Sequence, residues 1–210
     1  MSSLRETVGM SPPGSAQIAW PVSVALLGGV YVAGVGAVVF APEGDPVASW
    51  WPAAGIAVAL IALSPRRWWW RLAIGVAVVS MLANVTGGRP FDLSACYGVA
   101  NAAEAIVAGA LLRRGRPGIP GLTSLDHFVE LVMAAVLGAL TIATIASCGV
   151  AVLDNGDFVE SWRSVFFSHA ASVIVIVPVA MTWRKGVRLP AHRPASVSYT
   201  HLTLPTNREV

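Results

Sequence analysis

The stretch YGVANAAEAIVAGALLRRGR, residues 97–116, decides how this chain folds. It is apolar and long enough to cross a bilayer as a helix, yet it carries a carboxylate, Glu104, near its middle and an amide, Asn101, one turn earlier. An ionisable group at membrane depth costs about 3 kcal/mol on insertion scales and usually faces the interior of a bundle. The stretch therefore predicts a helical bundle with a polar interior beside Glu104.

The composition excludes an ordinary soluble domain. Of 210 residues, 55% are hydrophobic and 12% are charged, and the mean hydropathy is +0.67. Soluble domains are about 25% charged, and a chain of this length cannot bury so much apolar surface in a single core. We therefore predict an all-α fold, a polytopic transmembrane helical bundle. Its partner is the lipid bilayer, and the basic balance of the chain does not indicate nucleic-acid binding.

Apolar runs separated by polar or Pro-rich loops predict about six transmembrane spans. A helix rises about 1.5 Å per residue and the hydrocarbon core is about 30 Å thick, so a span needs about 20 residues. The second run is short and needs residues 47–49 and 64–65 to complete a crossing, and a re-entrant hairpin stays open as its alternative. The predicted spans are 18–40, 50–63, 69–86, 93–112, 127–152 and 162–183.

Basic residues are distributed unequally between the two sides of the predicted bundle. With six spans, eleven arginines and lysines fall on the side of the termini, and two, Arg89 and Arg163, fall on the other. Segments rich in arginine and lysine stay in the cytoplasm, so both termini are predicted to be cytoplasmic. Arg113 and Arg114 then anchor the fourth span at the cytoplasmic surface. Trp51, at the start of the second run, is expected at the membrane interface.

The chain divides into four parts by composition. Residues 1–17 are polar and predict a disordered cytoplasmic arm, residues 18–185 form the transmembrane domain, and residues 186–196 form a cytoplasmic linker. After Ala195 the sequence reads SVSYTHLTLPTNREV, which has no relation to the spans before it. We interpret residues 197–210 as a non-native read-through tail and exclude them from fold reasoning. Under this interpretation the natural protein continues beyond the present chain.

Four polar residues of the predicted spans are candidates for function. Asn101 and Glu104 are three residues apart and share a helix face. Asn84, near the outer end of the third span, and His169, in the outer part of the sixth, could line one cavity with them that opens outward. Two interpretations stay open: a site that binds a ligand or a proton, and a buried hydrogen-bond network between helices.

The sequence contains no motif for catalysis, a metal or a cofactor. It has no phosphate loop, no HExxH, no nucleophile elbow and no pair of haem-ligating histidines. We therefore predict no enzyme active site in these residues, no metal and no cofactor. Cys96 and Cys148 lack a CxxC spacing. We interpret them as two small core residues in preference to a disulfide.

Several segments share a pattern with one known family. They are WPAAGIAVA (51–59), LAN (82–84), ANAAEAIVAGALLRR (100–114), LTSLDHFVELVMAAVLGALTIATIA (122–146) and VIVIVP (173–178). Together they resemble MASE1, an integral membrane sensory domain of bacterial signalling proteins. The residues that match the family pattern are Trp51, Pro52, Gly55, Asn84, Asn101 and Glu104. The chain departs from the family at Ser168–His169, where members often have a Gly-Asp pair, so a role that rests on that aspartate is not carried over to this chain.

The resemblance implies a sensory input module in the bacterial inner membrane. Such a module is joined to a cytoplasmic histidine kinase or to an enzyme that makes or degrades cyclic di-GMP. It implies a homodimer through the full-length protein, and some members work beside a membrane partner protein. Members typically have about eight spans, so the six found here indicate C-terminal truncation. Sensing is then expected at Glu104, Asn101, Asn84 and His169, with Trp51, Pro52, Gly55, Arg113 and Arg114 in structural or interface roles.

Two other functions fit the same residues. A small multispan transporter or permease subunit would also have Gly-rich spans, prolines within spans and a carboxylate at the midplane. An inverted internal repeat would support that function, and the hydropathy shows none. The other function is an assembly scaffold that localises a partner without responding to a signal.

Overall fold

A computed structural model describes residues 18–41, 47–114, 122 and 124–184, and this part of the chain is helical without any strand. The predictions for residues 1–17, 186–196 and 197–210 lie outside the described residues. The helices are α1 (Trp20–Val39), α2 (Pro52–Leu63), α3 (Trp69–Thr86), α4 (Phe91–Leu112), α5 (Leu125–Leu153) and α6 (Phe158–Arg184), with a short 3-10 helix at Arg66–Trp68.

The predicted polytopic helical bundle is confirmed. Five of these helices are long and apolar enough to cross a membrane, whereas α2 has 12 residues and is shorter than a span. Large apolar side chains such as Val32, Ile74 and Val78 are exposed on the outside of the bundle. In a bilayer these side chains contact lipid, so their exposure costs nothing there.

Local sequence explains where the helices begin. α1 and α2 each start at a Trp-Pro pair, and proline suits the first turn because no intrahelical N–H is needed there. α5 begins at Leu125, and the Ser124 hydroxyl accepts a hydrogen bond from the His127 N–H at 3.4 Å. Asp126 lies in the first turn of the helix, where a carboxylate is stabilised by the helix dipole. Ser124 has the extended backbone that a cap requires.

The second crossing is made of two different halves. Before α2, Val47 packs against the apolar cluster around Tyr97 and Ile142. Four residues later, the Trp51 side chain donates a hydrogen bond to Asn101, at the middle of α4. Helix α2 starts there and ends at Leu63, and the carbonyl oxygen of the next residue, Ser64, accepts a hydrogen bond from the Arg113 side chain at the end of α4. The described part of the segment runs from beside Asn101 to the arginine-rich end of the bundle, which favours a crossing over a re-entrant hairpin. At about 1.5 Å per residue, α2 covers only about 18 Å of the crossing.

Helix α2 is surrounded by protein. It packs against α1, α4 and α6, and all its residues except Pro52 and Ile56 are buried. Close approach depends on small residues: a Cβ added at Gly55 would lie 2.5 Å from the Ser172 carbonyl oxygen of α6, and one at Gly109 of α4 would lie 2.6 Å from Ile61 Cγ2. The alanine-rich sequence of α2 thus lets three helices pack around it.

Candidate functional site

A carboxyl–imidazole pair lies inside the bundle. Glu104 Oε2 of α4 and His169 Nδ1 of α6 are 2.7 Å apart, with Glu104 1% and His169 5% exposed. Burying either group alone would cost several kcal/mol, so each stabilises the other. The second oxygen, Oε1 of Glu104, has no hydrogen-bond partner among the described residues. A single hydrogen bond therefore joins the two groups, and the position of the shared proton decides which of them donates.

A second buried hydrogen bond joins α2 to α4. The indole N–H of Trp51 donates to Asn101 Oδ1 at 2.9 Å, and the Asn101 amide donates to the Tyr97 carbonyl oxygen at 2.7 Å. The Trp51 ring stacks on His169 with a centroid distance of 6.3 Å and an angle of 13° between the planes. Trp51 therefore connects Asn101 to the Glu104–His169 pair. We call these four residues the polar core.

Asn84 lies further toward the end of α3 and makes a separate set of contacts. Its amide donates to the Ser80 carbonyl oxygen at 2.8 Å, and its Oδ1 accepts from Arg89 Nη1 at 2.6 Å. The Arg89 guanidinium also lies 5.4 Å from the centre of the Tyr97 ring. Asn84 thus holds the turn between α3 and α4 in place, and it does not contact Glu104 directly.

One small cavity brings three of the four predicted residues together. It has a volume of about 30 Å³, and its lining includes Asn84, Asn101, His169, Trp51 and Arg89. A cavity of this size with polar walls has room for about one or two water molecules. Glu104 does not line the cavity and is reached from it through His169. The predicted grouping of Asn84, Asn101 and His169 is therefore present as geometry, and their role in sensing stays a prediction.

Both ends of α2 are fixed by polar contacts to other helices. Near its start, the Gly55 N–H donates to Ser172 Oγ of α6 at 3.1 Å. Past its last turn, Arg113 Nη1 donates to the Ser64 carbonyl oxygen at 2.7 Å. A cation at a helix C-terminus is stabilised by the helix dipole. Helix α2 therefore links the polar core to the arginine-rich end of the bundle.

Two expectations about the interface residues are wrong. Trp51 is 4% exposed and lies inside the bundle, since its N–H has a buried acceptor in Asn101 and its ring a partner in His169. Arg113 is 7% exposed and binds inward to the end of α2, so it is not a simple surface anchor. Arg114, by contrast, is exposed, and its role as an anchor stays a prediction. Pro52 lies in the first turn of α2, and Gly55 lies against the backbone of Ser172.

The sequence also left some contacts unpredicted. Ser172 and Ser64 were not singled out, and only the closeness of α2 to α4 and α6 reveals them. Cys148 is exposed, which corrects its assignment to the core: the next residue, Gly149, faces Cys96, and Cys148 turns away. Both thiols are free. Among the described residues, no group of three or more His, Cys, Asp and Glu side chains could hold a metal ion.

Comparison with known families matches residues 22–206 to MASE1. The match covers most of the chain and includes every residue of the polar core. The comparisons with curated proteins and with solved structures found no match. The chain belongs to the MASE1 family, the membrane-associated sensory domains of signalling proteins, which are not themselves catalytic.

Proposed function

We propose that this chain is the input module of a bacterial signal-transduction protein in the inner membrane. It receives a signal from outside the cell or from within the bilayer at the polar core. It passes that signal to a cytoplasmic output domain, a histidine kinase or an enzyme of cyclic di-GMP metabolism. Family membership supports the sensory part of this proposal. The output enzyme and the direction of the signal are the parts that we add.

The observation that carries the proposal is the placement of α2. Its first turns contact the polar core through Trp51 and Gly55, and its end is held by Arg113 at the arginine-rich side. A signal must favour one packing of the bundle over another, because a ligand shifts an equilibrium only by its difference in affinity for the two states. A change in the proton or hydrogen bond shared by Glu104 and His169 would shift the Trp51 side chain, because the Trp51 ring stacks on His169. Helix α2, as one rigid element, carries that change to Ser64.

Substitution of Glu104 in the full-length protein tests the proposal. Glu104→Gln keeps the side-chain shape and removes the ionisable group. We expect the output, measured as kinase phosphorylation or as cyclic di-GMP concentration in the cell, to be locked or to lose its response. Glu160→Gln, which changes an exposed carboxylate at the start of α6, is the matched control and should respond normally. A normal response of Glu104→Gln at a normal protein level would contradict the proposal.

A transporter or permease subunit is the second candidate function. It is favoured by one observation, the half-helical crossing, because interrupted helices that start near the membrane midplane form the substrate sites of many transporters. Counterflow in proteoliposomes separates the two functions. Transport that depends on Glu104 would support this candidate and would contradict a purely sensory role.

A further inference from the structure

The arginine-rich end of the bundle holds a fixed cluster of guanidinium groups. Arg66 and Arg113 both lie against the Trp69 ring, at 5.8 and 6.0 Å from its centre. Arg66 Nη2 also donates to the Arg113 carbonyl oxygen at 3.3 Å, so the 3-10 helix is attached to the end of α4. Two cations therefore converge on one aromatic ring. We call Arg66, Arg113 and Trp69 the arginine clamp.

Two further arginines beside the clamp are held in the same way. Arg67 lies 5.7 Å from the centre of the Trp68 ring, and Arg71 lies 5.0 Å from that of Trp70. A cation over an indole face is attracted by the ring quadrupole, which restricts the guanidinium to one side of the ring. The cluster is therefore a set of oriented donors, in contrast to flexible surface arginines.

Within the described residues, the cluster has no neighbouring carboxylate. No carboxylate lies within ion-pair distance of Arg66, Arg67, Arg71, Arg113 or Arg114 in the described part of the chain. The Arg113 side chain is more than nine-tenths buried, and its Nε has no hydrogen-bond acceptor among the described residues. Burial, and then the neighbouring Arg66 charge, lower the pKa of Arg113, as expected for two cations without an anion between them. Carbonyl oxygens and the helix dipole offset only part of this charge.

The surroundings of the cluster are those of a membrane interface. Trp70 and Trp20 are exposed beside it, and the Trp20 and Trp68 rings meet edge to face at 5.7 Å. Tryptophan is enriched at the level of the lipid headgroups. Apolar side chains of α1 and α3, such as Val24 and Ile74, continue the exposed surface toward the bundle centre. An occupant with an anionic head and an apolar tail fits both parts of this surface.

We propose that the arginine clamp binds the phosphate of an anionic phospholipid, with the exposed Arg66 as its donor, the buried charge of Arg113 beside it, and the tryptophan-lined surface of α1 and α3 against the acyl chains. Guanidinium groups pair with phosphate oxygens in a planar, charge-assisted geometry. Basic pockets between helices on the cytoplasmic side of membrane proteins have this preference for lipid headgroups. Arg66 donates to the Arg113 carbonyl oxygen, and Arg113 donates to that of Ser64. A bound lipid would therefore restrict the motion of the end of α2. This inference does not rest on the proposed sensory function.

Lipid binding to the purified protein tests the inference. The protein is prepared in detergent with equal amounts of phosphatidylglycerol and phosphatidylcholine, and the lipid retained is measured by native mass spectrometry. We expect phosphatidylglycerol to be retained in preference. Arg66→Gln should weaken its binding about fivefold, because one basic residue near an anionic leaflet contributes roughly that factor. Arg163→Gln, at the other end of the bundle, is the matched control and should bind as the wild type does.

Several outcomes would overturn the inference. Equal retention of the two lipids would contradict it, as would unchanged retention by Arg66→Gln. Displacement of phosphatidylglycerol by inorganic phosphate at similar concentration would identify a free anion site in place of a lipid site. Occupation of the clamp by an acidic segment of the chain itself would appear as no lipid retained by the wild type. Arg66 is exposed, so its variant is expected to fold; gel filtration and helical circular dichroism check this.

Discussion

Helices α1 and α2 begin with the same dipeptide and end up in opposite environments. Trp20-Pro21 starts α1 and Trp51-Pro52 starts α2, but Trp20 is 51% exposed while Trp51 is almost fully buried. α1 is long, lies at the edge of the bundle and turns valines to the lipid, whereas α2 is short and is covered by three helices. What differs is the partner: Trp51 has Asn101 as an acceptor, and the alanines after it allow close packing. Both helices are apolar, so hydrophobicity does not decide which of them is buried. Long-range hydrogen bonds and small side chains decide it.

The largest expected effect comes from the polar core beside Trp51. Glu104→Leu leaves His169 buried without its carboxyl partner and should lower the free energy of unfolding by about 3–5 kcal/mol. The double variant Glu104→Leu, His169→Leu removes both groups and should recover most of that loss. Thermal unfolding in detergent measures both. Equal destabilisation by the single and double variants would show that the pair does not stabilise the core.

Helix α1 offers a control for that experiment. Ser23 is its buried polar residue, and its hydroxyl has no hydrogen-bond partner within the described residues. Ser23→Ala should therefore change stability little, within about 0.5 kcal/mol. A large loss at Ser23 would erase the difference between the two helices.

The next largest effect concerns the two glycines. A Cβ at Gly55 would lie 2.5 Å from a backbone oxygen of α6, whereas a Cβ at Gly28 of α1 would meet nothing within 4 Å. Gly55→Ala should therefore destabilise the protein by about 1–3 kcal/mol through overpacking. Gly28→Ala should be neutral or stabilising, because alanine is the better helix former by about 1 kcal/mol. Thermal unfolding curves of the two variants measure this difference, and equal changes in Tm for Gly55→Ala and Gly28→Ala would contradict it.

The last contrast, which we expect to be no larger than that of the glycines, is between the two tryptophans. Trp51→Phe keeps an aromatic ring but removes the N–H that donates to Asn101, leaving a buried acceptor unpaired. We expect a loss of about 1–3 kcal/mol. Trp20→Phe should cost less than about 0.5 kcal/mol, because the Trp20 side chain is half exposed. If Trp20→Phe were the more damaging of the two, the assignment of Trp51 to the interior would be contradicted.

The sequence predicted the long helices well because each carries its own signal. An apolar run of about 20 residues ending in arginines needs no tertiary information to be identified as a span. Asn101 and Glu104 were found for the same reason, since polar groups stand out in such a run. The membrane helical architecture was therefore accessible from the sequence, together with the grouping of Asn101, Asn84 and His169 around one cavity.

The depth of Trp51 and the role of Arg113 were not accessible in this way. Trp51 and Asn101 are 50 residues apart in the chain, and Arg113 and the Ser64 carbonyl are 49 apart. Tryptophan and arginine are both ordinary interface residues, so composition alone assigns them to the membrane surface. Only the packing of α2 between α4 and α6 moves them inward. A short helix of 12 residues that follows a non-helical segment has no periodicity that a hydropathy pattern could detect.

The central claim is that α2 carries a change at the polar core to the arginine-rich end. Spin labels at Arg67→Cys and Arg114→Cys, in a protein whose Cys96 and Cys148 are replaced by serine, report the distance between the 3-10 helix after α2 and the end of α4. The labelled positions are exposed and lie on either side of the Ser64–Arg113 contact. We predict that Glu104→Gln alters the distance distribution and that Glu160→Gln leaves it unchanged. The same distribution in all three proteins would contradict the claim.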